Sequence, residues 1–305
     1  MGEILDRSEL TIENIMPFNI KIIAEGGQAF RWNYIKDCNY IGVVGDRVLQ
    51  VCQDGDKLIV RSNKNEEVED FLIDYFDLAR DYKKIENELL KYKEIADAVL
   101  YCSGYRILFQ DPWETTISFI ISANNQIRNI KNTIENICQR YGNPLEFQGK
   151  TYYSFPGPEI LASLSCDELK ETKCGYRAKY IIETAKMVTN KEVDIYSLGK
   201  LSTDEARKEL LRFPGVGRKV ADCILLYSMR KFDAFPIDVW IKRVLEHIYF
   251  NGKEVPIRKL QNFAESKFGN LAGFAQQYLF YYARNHLRSF ANAQDDRQET
   301  QDSLK

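Results

Sequence analysis

The spacing of apolar residues changes once along the chain, from an alternating pattern to a helical one. Residues 40–62 carry short β-rich runs separated by Gly-Asp and Asp-Gly-Asp, which is typical of antiparallel hairpins. From about residue 65, apolar residues such as Val68, Phe71 and Leu72 recur at three- and four-residue spacing, which predicts helix. Helical spacing continues over residues 112–123, 126–141, 177–189, 203–212, 219–231, 239–249, 257–268 and 271–287. The pattern predicts an α+β fold, with a small N-terminal antiparallel β-sheet domain and a larger all-α domain.

The length and composition are those of a globular protein. At 305 residues the chain is long enough for two or three domains with a sizeable core. Four of its first ten residues are charged, and no apolar run approaches the roughly 18 residues of a membrane span. Seven cysteines without a CxxC pair indicate reduced thiols rather than a disulfide or zinc framework. We therefore expect a cytoplasmic protein with no membrane partner, no metal and no cofactor.

The charge of the chain does not by itself indicate nucleic-acid binding. The formal net charge is −2. Residues 289–305 form a polar tail with four acids and two bases, and we expect this tail to be disordered. Without the tail, acids and bases balance at 40 each. Any DNA-binding face must therefore be a local concentration of charge.

One stretch, FPGVGRKVADCIL at residues 213–225, places two glycines and two bases before an apolar helix. A nucleotide-binding P-loop would need a preceding strand and a serine or threonine after the lysine. Here a helix precedes, and Val220 follows Lys219, so that interpretation fails. A hairpin that binds a DNA phosphate remains, because Gly215 and Gly217 allow close approach to unpaired helix amides. An ordinary helical corner is about equally compatible with the turn alone.

A second stretch lies downstream, where FPIDVW at residues 235–240 places Asp238 nineteen positions after Lys219. The pair resembles the motif of the helix–hairpin–helix DNA glycosylase superfamily, although Phe213 stands where that family has leucine. The segment GGQAFRW at residues 26–32 is similar to that of the 8-oxoguanine DNA glycosylase/lyases. The chain thus resembles a bacterial-type member of that family.

The resemblance spans roughly residues 20–288. Further matches are QDP at 110–112, SANN at 122–125, GYRAKY at 175–180 and GFAQ at 273–276. It implies a TATA-binding-protein-like sheet domain over 1–104 and a helical catalytic domain over 105–288. The helix–hairpin–helix would occupy 203–231.

The resemblance assigns Lys219 as the nucleophile that attacks the sugar and forms a Schiff base. A neutral amine is needed for attack at C1′, and burial at a helix N-terminus disfavours the ammonium form. The alternative is a lysine that only binds phosphate. Asp238 would stabilise positive charge developing on the sugar. It is also a good helix N-cap, and both roles can hold together.

Recognition of the damaged base is likewise implied by the resemblance. The carbonyl of Gly27 would accept a hydrogen bond from N7–H, which 8-oxoguanine carries and guanine lacks. Phe280 and Cys223 would enclose the flipped base, and Gln276 would bond its Watson–Crick edge. From the residues alone, an ordinary turn glycine is the better interpretation of Gly27, and a core aromatic is the commoner role for Phe280.

Contacts with the rest of the duplex complete the implied site. By resemblance Asn124 fills the space left by the flipped base, Tyr176 wedges beside it, and Arg177 reaches the opposite base. The remaining DNA-binding candidates are Gly215, Gly217, Val220 and Trp240. Asn124 could equally be a helix cap, and Tyr176 could pack in the core.

The resulting interpretation is a monomeric enzyme of base excision repair that acts on double-stranded DNA containing oxidised guanine and associates with the nucleoid. It would excise 8-oxoguanine and then cleave the abasic site. Two alternatives remain open: a related glycosylase with another damaged-base specificity, and a non-catalytic module that binds damaged DNA.

Departures from the animal members of the family generate a first prediction. Asn129 replaces an arginine that contacts the opposite cytosine, and Trp240 and Ala283 replace a histidine and an aspartate. We expect a weak preference for cytosine opposite the lesion. Excision rates on duplexes that differ only in C, A, G or T at that position test this. A preference for cytosine of roughly a thousandfold, or about 4 kcal/mol, would refute it.

Overall fold

The computed structural model describes residues 9–37 and 39–286. The strands are β1 Glu9–Ile12, β2 Asn33–Tyr34, β3 Asn39–Val44, β4 Arg47–Asp54, β5 Lys57–Ser62, β6 Pro144–Phe147 and β7 Lys150–Tyr153. The first helices are α1 Ile20–Glu25, α2 Val68–Tyr75, α3 Tyr82–Leu89, α4 Ala96–Tyr101, α5 Pro112–Ser122, α6 Ile127–Tyr141 and α7 Pro158–Ser163. The later ones are α8 Cys166–Lys170, α9 Arg177–Thr189, α10 Thr203–Leu210, α11 Arg218–Ser228, α12 Val239–Tyr249, α13 Ile257–Phe268 and α14, described over 272–286. The predicted tail at 289–305 lies outside the described residues.

The N-terminal sheet has five antiparallel strands in the order β1-β5-β4-β3-β2. The predicted hairpins at 40–62 are confirmed as β3, β4 and β5, with turns at Gly45 and Gly55 that both have positive φ. Strand β1 adds to the far side of β5, with Leu10 opposite Val60. The predicted mixed α+β architecture is therefore correct.

The helical part contains one element that the apolar spacing did not predict. Strands β6 and β7 form a hairpin within the segment expected to be all-α. Gln148 and Gly149 both take positive φ at its tip, which is the backbone that a two-residue hairpin turn requires. Gln148 donates a 2.9 Å hydrogen bond to Gln50 of β4, so the hairpin lies against the N-terminal sheet.

Sheet and helices share one continuous hydrophobic core. The indole of Trp32 covers Gly42 of β3, where a β-carbon would lie 2.6 Å from the ring, and donates to the hydroxyl of Tyr75 on α2 at 2.9 Å. Phe30 packs edge-on against Phe119 of α5 at 5.5 Å. These contacts hold the segment 26–32 between the two parts of the molecule.

Helices α10 and α11 are joined through a buried ion pair. Arg207 donates to Asp222 at 2.6 Å, and their side chains are 8% and 0% exposed. Arg218 lies 3.5 Å from Asp222 and 2.6 Å from Glu265 of α13. Each buried charge thus has a partner, and three helices are fixed relative to one another.

A matched pair of substitutions tests the importance of this ion pair. Asp222→Asn leaves the buried Arg207 without its main counter-charge, and we expect a loss of about 3 kcal/mol in the free energy of unfolding. Asp204 also pairs with Arg207, but it is 84% exposed, and Asp204→Asn should cost less than about 1 kcal/mol. Denaturant titration of both variants measures the free energy of unfolding. Equal losses in the two variants would contradict the conclusion that the Arg207–Asp222 pair is the important one.

Candidate active site

The turn between α10 and α11 uses its two glycines for different reasons. Gly215 has φ +80, and a β-carbon there would lie 2.7 Å from the ring of Tyr180, so only glycine fits. Gly217 has φ −92 and ψ 178, which any residue can adopt, and a β-carbon there would meet nothing within 4 Å. The fold requires Gly215, whereas Gly217 leaves open space above the backbone.

That open space lies at the N-terminus of α11. Gly217 is the N-cap and offers no side chain to the first-turn amides. The first amides of a helix have no intrahelical acceptor, so those of Arg218, Lys219 and Val220 are available to an anion. The side chain of Val220 is buried, which leaves only its amide for this purpose.

Lys219, Cys223 and Asp238 form a group that we call the lysine cluster. Lys219 is half-buried, with Nζ 5.4 Å from the ring centroid of Phe119. Cys223 lies one turn further along α11 and is buried. Burial raises the pKa of its thiol to about 11, while the charge of Lys219 lowers it and that of Asp238 raises it. The thiol is therefore neutral at physiological pH, and both charges lie close enough to act on it.

Asp238 is confirmed as the N-cap of α12. Its Oδ1 accepts hydrogen bonds from the amides of Trp240 at 3.0 Å and Ile241 at 2.8 Å. Because both bonds use Oδ1, the carboxylate is held rigidly while Oδ2 can face another group. Trp240 is half-buried beneath Arg243, whose guanidinium carbon lies 5.4 Å from the ring centroid.

Gly27, Gln276 and Phe280 form a second group, the aromatic face. Gly27 has φ +80, and a β-carbon there would lie 3.3 Å from Phe280 and 3.3 Å from Arg284. Gln276 and Phe280 are four residues apart on α14 and so share one side of that helix. Gln276 is buried, and its Oε1 has no hydrogen-bond partner among the described residues. A buried acceptor without a donor fits a ligand that would supply one.

The aromatic face and the lysine cluster are connected through α11 and α14. Gly273 of α14 packs on Leu226 of α11 so closely that a β-carbon would lie 2.3 Å from Leu226. Tyr227 of α11 donates a hydrogen bond to Gln277 of α14. The helices that carry Lys219 and Gln276 are thus held side by side.

A third group lies beside the α10–α11 turn. Asn124 is exposed with φ +49, at the junction of α5 and α6. Tyr176 is 60% exposed, and its ring lies 6.1 Å from that of Tyr180, which covers Gly215. The ring of Tyr176 therefore lies on the side of the molecule that carries the turn, and Arg177, next to Tyr176, donates to the carbonyl of Asn124.

Arg177 lies differently from the expectation that it reaches outward. The residue is only 8% exposed, and its guanidinium donates to the carbonyls of Ala123 at 3.2 Å and Asn124 at 3.1 Å. Arg177 therefore supports the turn that carries Asn124. A contact with the base opposite the lesion would require it to leave these carbonyls.

Three residues near the site were not anticipated from the sequence: Phe119, Gln277 and Arg284. Phe119 lies in the apolar run of α5 and gave no signal that distinguishes it from core residues. Gln277 and Arg284 lie on either side of Phe280, and only the three-dimensional packing brings them to Gly26 and Gly27.

Across residues 9–37 and 39–286, no helix is both long and apolar enough to cross a bilayer. Within the same ranges, no three histidine, cysteine or acidic side chains are grouped as metal ligands.

Two family models match the chain over residues 10–269. Residues 10–116 match the 8-oxoguanine DNA glycosylase N-terminal domain, and residues 117–269 match the HhH-GPD superfamily of base excision DNA repair proteins. A probable N-glycosylase/DNA lyase of Methanothermobacter thermautotrophicus is 36% identical over 229 residues, covering 68% of this chain and 71% of the relative. The N-glycosylase/DNA lyase of Saccharomyces cerevisiae is 29% identical, covering 90% and 84%.

Solved structures give the same result. The 8-oxoguanine glycosylase/lyase of Clostridium acetobutylicum, bound to double-stranded DNA with cytosine opposite 8-oxoguanine, is 40% identical with a TM-score of 0.87. The match covers 92% of this chain and 96% of that one. MBOgg1 in complex with a low-affinity DNA ligand is 46% identical with a TM-score of 0.89, covering 91% and 96%. This chain belongs to the 8-oxoguanine DNA glycosylase family of the HhH-GPD superfamily.

Proposed function

We propose that this chain excises 8-oxoguanine from duplex DNA and then cleaves the abasic strand, with Lys219 as the nucleophile. The observation that carries the proposal is the lysine cluster. It combines the amine of Lys219 in the first turn of α11, the carboxylate of Asp238 held rigidly as the N-cap of α12, and the neutral buried thiol of Cys223. Binding a phosphate would need the helix amides but neither the thiol nor the carboxylate.

The chemistry follows from the groups present. After the ammonium of Lys219 gives a proton to solvent, its Nζ forms a bond to C1′ of the sugar while the bond from C1′ to the base breaks. The electron pair leaves with the base, which takes a proton released by the new C–N ammonium. Opening of the sugar ring then gives the protonated imine, with O4′ taking a proton from solvent. Asp238 stabilises positive charge on the sugar throughout.

The aromatic face supplies recognition of the base. The carbonyl of Gly27 accepts from N7–H of 8-oxoguanine and repels the lone pair of guanine. Phe280 and the neutral thiol of Cys223 cover the two faces of the flipped base, and Gln276 pairs with its edge. A single hydrogen bond is worth roughly 1–3 kcal/mol, or about five- to 150-fold. Rejection of undamaged guanine therefore also depends on steps before the base enters the pocket.

The turn and the third group supply the contacts with DNA. The amides that follow Gly217 bind one phosphate of the damaged strand without contacting a base. Asn124 fills the gap left by the flipped base, and Tyr176 wedges next to it. Arg177 positions Asn124 first, and contacts the opposite base only if DNA draws it from its carbonyls. The protein acts as a monomer on nucleoid DNA in the cytoplasm.

The assignment of Lys219 and Asp238 predicts two different losses. Lys219→Gln should reduce release of 8-oxoguanine at least roughly a thousandfold, because the nucleophile is gone. Asp238→Asn keeps the cap but removes the charge, and should cost roughly 10²–10³-fold. Single-turnover release of the free base measures both. Lys186→Gln on the exposed side of α9 is the control, and wild-type rates in Lys219→Gln would exclude the proposal.

The two glycines of the turn predict a separation of binding from folding. Gly217→Ala should leave the free energy of unfolding within about 0.5 kcal/mol of wild type, yet weaken duplex binding roughly tenfold. Gly215→Ala must adopt positive φ against Tyr180, and should cost of order 1–3 kcal/mol or more. Denaturant titration and fluorescence anisotropy measure the two quantities. Unchanged DNA affinity in Gly217→Ala would show that the phosphate does not bind there.

A further inference from the structure

Parts of the site that are distant in sequence meet at one buried side chain, Gln277 of α14, which is 2% exposed. Its Nε2 donates to the carbonyl of Gly26 at 3.2 Å and to the hydroxyl of Tyr105. Its Oε1 accepts from the hydroxyl of Tyr227 on α11. A carbonyl can only accept a hydrogen bond, so the amide nitrogen must face Gly26 and the amide oxygen must face Tyr227.

The two phenols that contact Gln277 are as enclosed as the glutamine. Tyr105 and Tyr227 are 2% and 4% exposed. Burial holds the pKa of each phenol well above its usual range, so both remain neutral. A β-carbon on Gly26 would lie 1.8 Å from the hydroxyl oxygen of Tyr105, so the network leaves no space for a side chain at Gly26. Buried polar networks of this kind fix one local arrangement when each member has its partners.

The network lies directly beside Gly27. The carbonyl before it, that of Gly26, is held by Gln277, and the carbonyl after it, that of Gln28, accepts from Gln110 at 2.8 Å. The carbonyl of Gly27 itself accepts no hydrogen bond from the described residues. A glycine is the most freely rotating residue, so its carbonyl direction depends on what holds the two neighbouring peptides.

We propose that Gln277 is a positioning residue that aims the Gly27 carbonyl at N7 of the damaged base. Gln277 itself touches neither the base nor the reacting atoms. It ties the Gly26–Gly27 peptide to Tyr227, which lies one turn beyond Cys223 on the helix that carries Lys219. The side-chain amide of Gln277 therefore connects the loop that carries the Gly27 carbonyl to the helix that carries Lys219. This inference rests on the proposed recognition of 8-oxoguanine by Gly27.

A positioning role separates two activities that a general loss of structure would lower together. Release of 8-oxoguanine requires the Gly27 carbonyl to point at N7 of the base. Imine formation on a preformed abasic site needs Lys219 but has no base to recognise. A displacement of about 1 Å in a positioned group can cost roughly 10²-fold in rate. Loss of Gln277 should thus impair base release while sparing attack at the abasic site.

The experiment compares Gln277→Met, which keeps the length of the side chain, with Tyr227→Phe, which removes only the hydroxyl that bonds to Gln277. Tyr92→Phe is the matched control, because the half-buried Tyr92 also donates its hydroxyl to an acceptor, the carbonyl of Lys267 at 3.0 Å. Neither residue belongs to the segment 26–32 or to the helices that carry Lys219 and Gln277. For each full-length variant, single-turnover release is measured for 8-oxoguanine and for guanine in otherwise identical duplexes. Borohydride trapping is measured on a duplex with a preformed abasic site.

We expect Gln277→Met to release 8-oxoguanine roughly 10- to 100-fold more slowly, with a reduced preference over guanine, and to trap the abasic site within about twofold of wild type. Tyr227→Phe should show the same pattern more weakly, and it carries the test if Gln277→Met fails to fold. Parallel losses in both assays, or unchanged release of 8-oxoguanine, would overturn the inference. A wild-type protein that traps abasic sites but releases no 8-oxoguanine would instead refute the proposed function, and the inference with it.

Discussion

The arrangement of the active site depends on the buried ion pair between Arg207 and Asp222. Asp222 is three residues beyond Lys219 on α11, so fixing its carboxylate against α10 also fixes the first turn of α11. Arg218 extends the network to Glu265 of α13 at 2.6 Å. Because an unpaired charge at this depth is unfavourable, the helices have little freedom to separate. A nucleophile needs such constraint, since small displacements from the sugar carbon reduce the rate steeply.

Glycines then determine where other molecules can approach the backbone. Gly215 and Gly26 are required by the fold itself, because the ring of Tyr180 and the hydroxyl of Tyr105 occupy the space of a side chain. Gly217 is different, since neither its backbone angles nor its neighbours exclude a side chain. Open space above helix amides is what a phosphate needs, whereas crowded space above Gly26 is what a rigid loop needs. Glycine thus gives a ligand access to the backbone at Gly217 and keeps the loop rigid at Gly26.

Many of the helices could be predicted from local sequence, and the features that could not have two physical causes. The bounds of α9, α12 and α13 match the predicted ranges, because apolar spacing and caps such as Asp238 are local signals. The hairpin 144–153 was missed because its turn residues, Gln148 and Gly149, are a weaker signal than Asn-Gly. Strand β1, the inward position of Arg177 and the Gln277 network depend on partners tens to hundreds of residues away, up to 251 for Gln277 and Gly26. Periodicity shows that a residue is buried, but not which residue it meets.

The most direct test of the central claim is to identify the atom that becomes joined to DNA. The protein would be incubated with an 8-oxoguanine·C duplex and borohydride, and the reduced adduct digested and mapped by mass spectrometry. If Lys219 is the nucleophile, the sugar remnant is found on the peptide that contains Lys219, only with the damaged duplex, and not in Lys219→Gln. An adduct on another lysine, or release of the base with no adduct at all, would contradict the imine route through α11.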